Sequence, residues 1–457
     1  MQLKTILNHV EKKKGFVYCE ARWSKKSEIE FVLVPRKGSM PICSVCRKKR
    51  PGYDRLKTRR FEYVPFWAIA VFFVYALRRV NCPTCGVVVE QVPWGCGKNT
   101  QTKSYRVFLA TWAKRISWKE VATVFGTSWD SVYRAIHWVV CYGIVHRDLS
   151  GIEAIGIDEI QYRRGHKYLT LVYQLDAGAK RLLYVAKDRT EASLQGFFGI
   201  LNESIIQGIK FACTDMLPAY LKVLRERAPA TLNILDRFHI SKKFGEALDK
   251  VRAEETRQLE ADGYEPILKH SRWCLLKRPE NLTSKQTVKL RELLKYNLTS
   301  MKAYLMREDF NRFWTYTSAT WASKFLRDWC VRANQSQIEP MQKMAATLLK
   351  HEPLLLNWFE SQGLSSGVVE GFNNKAKLTM RKAYGFKEYQ TIKTALYHQL
   401  GNPPEPKTTH RFCRRGQYRG LASSLKKLLI PKAIATRLAP LLRGSNLRAS
   451  PGKEFPC

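Results

Sequence analysis

Two short apolar-rich runs near the start of the chain, residues 15–22 and 28–35, flank a charged turn. Each has the length and composition of a strand. Residues 63–77 are the longest uncharged apolar stretch. They fall short of the ~20 residues of a membrane span and predict a buried strand. Between residues 98 and 145 the apolar spacing lengthens to a helical period, broken near Ser117 and at residues 126–128. Residues 150–245 mix the two patterns. Strands are predicted over 155–160, 167–175, 181–186, 208–215 and 231–235, with helices over 191–202 and 218–227. From 246 to 400 the pattern is mostly helical, rich in Trp and charge, and it stops at Gly401-Asn-Pro-Pro-Glu-Pro.

The stretch Ser117-Trp-Lys-Glu-Val-Ala-Thr-Val-Phe-Gly-Thr-Ser-Trp-Asp-Ser-Val-Tyr-Arg reads as two helices. Ser117 can cap the first and Gly126 can end it, while Thr127 or Ser128 can cap the second. This is the pattern of a helix-turn-helix, whose second helix enters a major groove. Trp129, Ser131 and Arg134 are expected on its outer face. Plain packing of a helical hairpin is the alternative.

Composition narrows the class. Lys and Arg total 78 against 39 Asp and Glu, a net charge of +39, with 45% hydrophobic residues. Such a chain builds a core, and its excess charge calls for a polyanion, nucleic acid before an anionic membrane. A small neutral metabolite fits poorly as the main partner. Residues 36–115 concentrate 17 Lys and Arg against Asp54, Glu62 and Glu90, and the tail after Gly401 carries twelve against two acids. The N-terminus lacks the apolar core of a signal peptide. Eight of the 12 cysteines are scattered, as reduced thiols are. A soluble, cytoplasmic protein is expected.

The other four cysteines form Cys43-x-x-Cys46 and Cys82-x-x-Cys85. Each pair sits at a turn, and together they can collect one structural Zn²⁺ at ~2.3 Å. Gly86 suits the tight knuckle. Arg47, Lys48, Lys49 and Arg50 beside the first pair are expected to contact DNA phosphates.

Three strands followed by helix, strand, helix, strand is the order of an RNase H-like domain. In that order Asp158, on the first strand, lies beside Asp215, at the end of the fourth. Paired carboxylates there can share Mg²⁺ (or Mn²⁺), two ions per active site, for phosphoryl transfer. A third carboxylate is expected from a later helix, and Glu370 is the candidate. Asn374, Lys377 and Arg381 follow it at i+4, i+7 and i+11 on one face, where they can hold a DNA backbone. Phe372, Ala376 and Met380 are expected to pack inward. Glu159, which alternation turns away from Asp158, and Asp236 are rivals for the acidic roles. Asp215 can alternatively cap the helix at Pro218. His239 is open between supporting Asp236, contacting a phosphate, and being an ordinary surface histidine.

Taken in order, these motifs resemble the ISL-three family of bacterial insertion-sequence transposases. The residues that carry the resemblance are Asn81-Cys-Pro-Thr-Cys-Gly with Val92-Pro-Trp, Ile157-Asp-Glu-Ile, Thr214-Asp-Met-Leu-Pro-Ala-Tyr and Asp236-Arg-Phe-His. Val369-Glu-Gly-Phe-Asn-Asn-Lys-Ala-Lys and Arg381-Lys-Ala-Tyr-Gly-Phe complete the set. The resemblance implies a DDE transposase with Asp158, Asp215 and Glu370 as its triad. It also implies a multidomain α/β architecture in which a helical insertion interrupts an RNase H-like core. The expected domains are a zinc-binding DNA-binding region (1–97), a helix-turn-helix (98–148), the first part of the catalytic core (149–245), the helical insertion (246–360), the final catalytic helices (361–400) and a basic tail (401–457). The expected partners are double-stranded DNA, both terminal inverted repeats and target, and further copies of the chain in a homodimer or larger assembly. No membrane is expected, and a place on the bacterial nucleoid is. A nuclease without strand transfer and a catalytically idle DNA-binding regulator are the alternatives.

Overall fold

A computed structural model describes residues 2–265, 267–361, 367–382 and 386–408. Ser365, Ser366, Ala383 to Gly385 and the basic tail after Thr408 lie outside the described residues. The protein is a multidomain mixed α/β chain with two units, residues 2–115 with 121–128, and residues 116–120 with 129–405.

The first unit starts with helix α1 (Leu3–Val10) and a sheet of β1 (Phe16–Trp23), β2 (Ile29–Pro35), β3 (Gly52–Phe66), β4 (Ile69–Cys82) and β5 (Gly86–Val89). The order is β1-β2-β4-β3, with β5 added to β4. Its core is aromatic. Tyr63 stacks on Phe73 at 4.4 Å, and Trp94, 1% exposed, meets Phe16, Phe61 and Tyr75 edge-on. Residues 63–77, read above as one buried strand, are a hairpin. The chain turns at Trp67 and Ala68, both at positive φ (49° and 63°). Helix α2 (Lys103–Ala113) follows, its first turn capped by Thr102, which accepts from the Tyr105 N–H.

Helices α3 (Trp118–Val124) and α4 (Trp129–His146) come next. The second unit is then built on β6 (Ala154–Arg163), β7 (Lys167–Gln174), β8 (Arg181–Lys187), β9 (Phe211–Thr214) and β10 (Leu232–Leu235). Its order is β10-β9-β6-β7-β8. β6, β7 and β8 form an antiparallel meander, and β9 and β10 run parallel to β6. Helices α5 (Glu191–Phe198), α6 (Glu203–Gly208) and α7 (Pro218–Arg227) cover one face. There Ile155 and Ile157 pack with Leu194, Phe197, Tyr220 and Val223.

Helix α8 (Arg237–Ala261) leads into a helical body with its own core, made of α9 (Arg272–Leu276), α10 (Ser284–Leu293), α11 (Thr299–Phe310), α12 (Ala319–Gln335), α13 (Glu339–Lys350) and α14 (Glu352–Glu360). Its tryptophans divide: Trp329 is buried, while Trp273 and Trp321 are exposed. Asn357 of α14 bonds the carbonyl of Asn233 on β10 at 2.7 Å, which seats this body on the sheet edge. Helices α15 (Gly367–Lys382) and α16 (Tyr389–Leu400) return to the other face. Gly156 of β6 makes the close approach possible. A Cβ there would stand 2.5 Å from Val369 of α15. Among the described residues no helix is long and apolar enough to cross a membrane.

Candidate active site and cysteine centre

The floor of the site forms where β9 and β10 end beside the middle of the longer β6. β6 places Gly156 beside Cys213 of β9, and β10 places Leu235 beside Thr214. Continuing those registers brings Asp158, Asp215 and Asp236 level at one end of the sheet. Asp158 is only 7% exposed. One of its oxygens accepts from the Glu159 N–H at 2.7 Å, and the other accepts from the Asn373 amide. Burial pushes its carboxyl above the ordinary range, His239 opposes this, and the charges of Asp215 and Asp236 reinforce it. Asp215 faces the same cluster and accepts from the Leu217 N–H at 3.0 Å, so it also shapes the entry to α7.

Asp236 caps α8, accepting from the Phe238 N–H at 2.7 Å, and its other oxygen lies 3.1 Å from His239 Nδ1. His239 Nε2 is 3.8 Å from Asp158. Burial presses this imidazole down, but the bond to Asp236 and the charges of Asp158, Asp236 and Asp215 lift it to about 8. His239 thus sits between two aspartates, within hydrogen-bond distance of Asp236. Glu159 also lines the site, despite strand alternation. β6 loses its β9 partner after Gly156, so side chains from both faces reach one opening. Burial and the charges of Asp215 and Asp158 raise its carboxyl to about 7.

Helix α15 supplies the facing wall of a cleft of about 970 Å³. Glu370, Asn374, Lys377 and Arg381 line it with Asp158, Glu159, Asp236 and His239. Met380, expected to pack inward, lines it too, since it follows Asn373 and Lys377 at i+7 and i+3 on the same side of the helix. Sequence reasoning missed Asn373. It is 6% exposed and accepts from the Tyr173 hydroxyl at 2.9 Å while donating to Asp158. Val369, Asn373 and Ala376 form the buried stripe of α15 at i, i+4 and i+7. A polar residue on that stripe was the available signal. The resulting donor set is all oxygen, crowded and anionic, which suits a hard divalent cation.

In the first unit the sulfurs of Cys43, Cys46, Cys82 and Cys85 all lie within 4.8 Å of one another. Cys46 and Cys82 are 3.7 Å apart, too far for a disulfide and close to the edge of a zinc–thiolate tetrahedron with ~2.3 Å bonds. Arg47 and Gly86, at φ 58° and 73°, turn the two knuckles. Burial pushes the Cys82 thiol up, but the N–H groups of Thr84 and Cys85 aimed at its sulfur bring it down to about 6. The four residues therefore fit a zinc ion. Arg50, expected on the phosphate-contacting surface, is half-buried beside the cluster, and the neighbouring Cys46 and Cys82 sulfurs favour its charged form. Arg47, Lys48 and Lys49 stay exposed. Nearby, Arg60 pairs with Glu28 and Glu30, Arg78 with Glu90, and Arg79 with Asp54.

The start of α3 carries reciprocal bonds between Ser117 and Glu120, and Gly126 (φ 61°) ends that helix. On α4, Trp129 is 42% exposed, stacks on Tyr133 at 5.6 Å and leans on Trp118. Ser131 is half-buried. Arg134 is exposed and pairs with Asp130 at 2.6 Å. Such a surface pair contributes ~0–1 kcal/mol, so it yields readily to a phosphate.

A family model described as a transposase matches residues 155–396. The transposase for insertion sequence element IS1001 of Bordetella parapertussis is 28% identical over 352 residues, 76% of this chain and 86% of the relative. The transposase for insertion sequence element IS1557 of Mycobacterium tuberculosis is 28% identical over 392 residues, 78% of this chain and 85% of the relative.

Proposed function

We propose, because this chain belongs to the ISL-three family of transposases, that it cuts DNA at the ends of an insertion sequence and joins them to target DNA. The observation that carries this reading is the meeting of Asp158 with Glu370, on a helix more than 200 residues later, in one cleft, with the charge of Asp215 acting on Asp158 beside it. The sheet order supports an RNase H-like core, the frame on which such a triad is expected. Asp158, Asp215 and Glu370 would hold two divalent ions, Mg²⁺ or Mn²⁺. When bound, those ions supply activation of water or a 3′-hydroxyl and neutralise the leaving oxygen.

The chain's own groups do the rest. Asn373 fixes the carboxylate of Asp158 so that its free lone pairs point into the cleft. Asp236 orients His239, whose charge offsets the cluster and offers a donor to phosphate. Asn374, Lys377 and Arg381 track the DNA backbone along α15. Arg47, Lys48 and Lys49, on a module closed by one zinc, bind phosphates outside the cleft, and Trp129, Ser131 and Arg134 approach base edges from α4. Pairing two ends needs at least two copies of the chain.

The test supplies the protein with Mg²⁺, a pre-cut DNA end bearing its 3′-hydroxyl, and a plasmid. Joined end–plasmid product is expected. Cutting of uncut ends without joining would indicate a nuclease, and binding with neither reaction a regulator.

A further inference from the structure

The connection between β8 and α5 holds an arginine that neither the mechanism above nor the sequence motifs use. Arg189 lines the acidic cleft. Its backbone is clamped on both sides. The preceding residue, Asp188, sits at φ 66°, in the left-handed region that a non-glycine residue seldom occupies. The Asp188 carbonyl accepts from the Thr170 hydroxyl at 2.6 Å, and its N–H donates to the Tyr168 carbonyl at 2.9 Å. The following residue, Thr190, caps α5 in a reciprocal capping box with Ser193. Backbone strain held by several bonds marks places where a side chain must be aimed.

The side chain is aimed as well. The guanidinium lies over the Tyr168 ring at 4.1 Å from its centre. Its one hydrogen bond among the described residues runs from Nη1 to Glu159 at 3.4 Å. A guanidinium carries five donors, so four face the cleft or solvent. An arginine placed to neutralise Glu159 would sit closer and bind it through two bonds.

Resting on the transposase reading, we infer that Arg189 binds a phosphodiester of the DNA strand entering the cleft. Together with Lys242 of α8 and Lys377 and Arg381 of α15, it gives the cleft cations from three separate elements around an acidic floor. A backbone threaded through it meets a donor on either side. The rigid fork on Tyr168 loses little freedom on binding, and its planar geometry matches two phosphate oxygens.

The test uses the full chain and a duplex carrying the element's end. Affinity is measured in EDTA across a salt series, which reads Arg189 whether or not the protein cuts DNA. Arg189→Gln is expected to weaken binding and to flatten the slope of log K against log salt by ~0.9, the share of one phosphate contact. In Mg²⁺ the same variant is expected to raise KM for end DNA. Arg189→Lys is expected to restore the slope but only part of the KM. Mg²⁺ binding followed by calorimetry, and the melting midpoint, are expected to match wild type. An unchanged salt slope, or a gain in Mg²⁺ affinity with DNA affinity unaltered, would overturn the inference and leave Arg189 as a charge balancer. Failure of the wild-type protein to cut in Mg²⁺ would count against the transposase reading instead.

Discussion

Gly156→Val is expected to lower stability by at least ~3 kcal/mol and to remove DNA cleavage, although Gly156 touches no substrate. At this position a Cβ alone would stand 2.5 Å from Val369 Cγ2 and 3.1 Å from Leu175 Cδ1. Val369 is buried and β-branched, so it has no rotamer into which to retreat. The helix must move instead. Overpacking of this kind costs ~1–3 kcal/mol. The shift also parts Asn373 from Asp158 and from the Tyr173 hydroxyl, and each buried polar group left unpaired costs a further ~1–3 kcal/mol. The stack of Tyr173 on Phe372, at 4.9 Å, opens as well. Glu370 rides on the same helix, so it leaves its place facing the aspartates. Denaturant melts and end cleavage check the two halves of the expectation, and Gly156→Ala should fall between wild type and valine. Full cleavage by the valine variant would mean that the seating of α15 on β6 does not position Glu370.

Cys82→Ser should strip one zinc per chain and unfold the knuckles around residues 41–51, with at least a tenfold loss of affinity for DNA ends. The reason is the size of the local core. Apart from the sulfurs, the buried apolar cluster there has only Val80, with Val88 partly buried beside it. Burial of one or two valines, ~1.5–3 kcal/mol each, cannot order that length of chain. A structural zinc contributes ~10–16 kcal/mol of apparent binding energy in small zinc modules. The sheet of the second unit has its own cores, and its melting should be unaffected. Metal content by atomic absorption, with limited proteolysis of the first unit, reads the outcome. Unchanged metal content would remove the site.

Much of this architecture is legible in the sequence because its signals are local. A C-x-x-C pair carries its own turn, and an acid inside an otherwise apolar strand marks Asp158. The order of strands in residues 150–245 is a matter of period. What stayed hidden depended on contacts distant in sequence. Asn373 and Asn374 are chemically identical neighbours. Only the seating of α15 on β6 decides that Asn373 faces Asp158, 215 residues away, and Asn374 the cleft. The hairpin within residues 63–77 has no Asn-Gly or Asp-Gly at its tip. Trp67 and Ala68 adopt the left-handed conformation that such pairs usually supply, so the apolar run hid the turn. Arg50 differs from its basic neighbours in being half-buried beside the cysteine cluster. Arg189 has no motif at all. Its position follows from the left-handed Asp188 and the face of Tyr168.

The carboxylate floor of the cleft is expected to perform metal-dependent DNA cleavage. Asp158→Asn tests it most directly, because it removes one charge and little volume at a buried position. Cleavage of a duplex carrying the element's end, in Mg²⁺, should fall by at least ~10³-fold, the loss of ~4 kcal/mol of transition-state stabilisation. Binding of the same duplex in EDTA should stay within about twofold of wild type, since the cations that hold the DNA backbone are untouched. Cleavage at a rate near wild type by the asparagine variant would contradict the account.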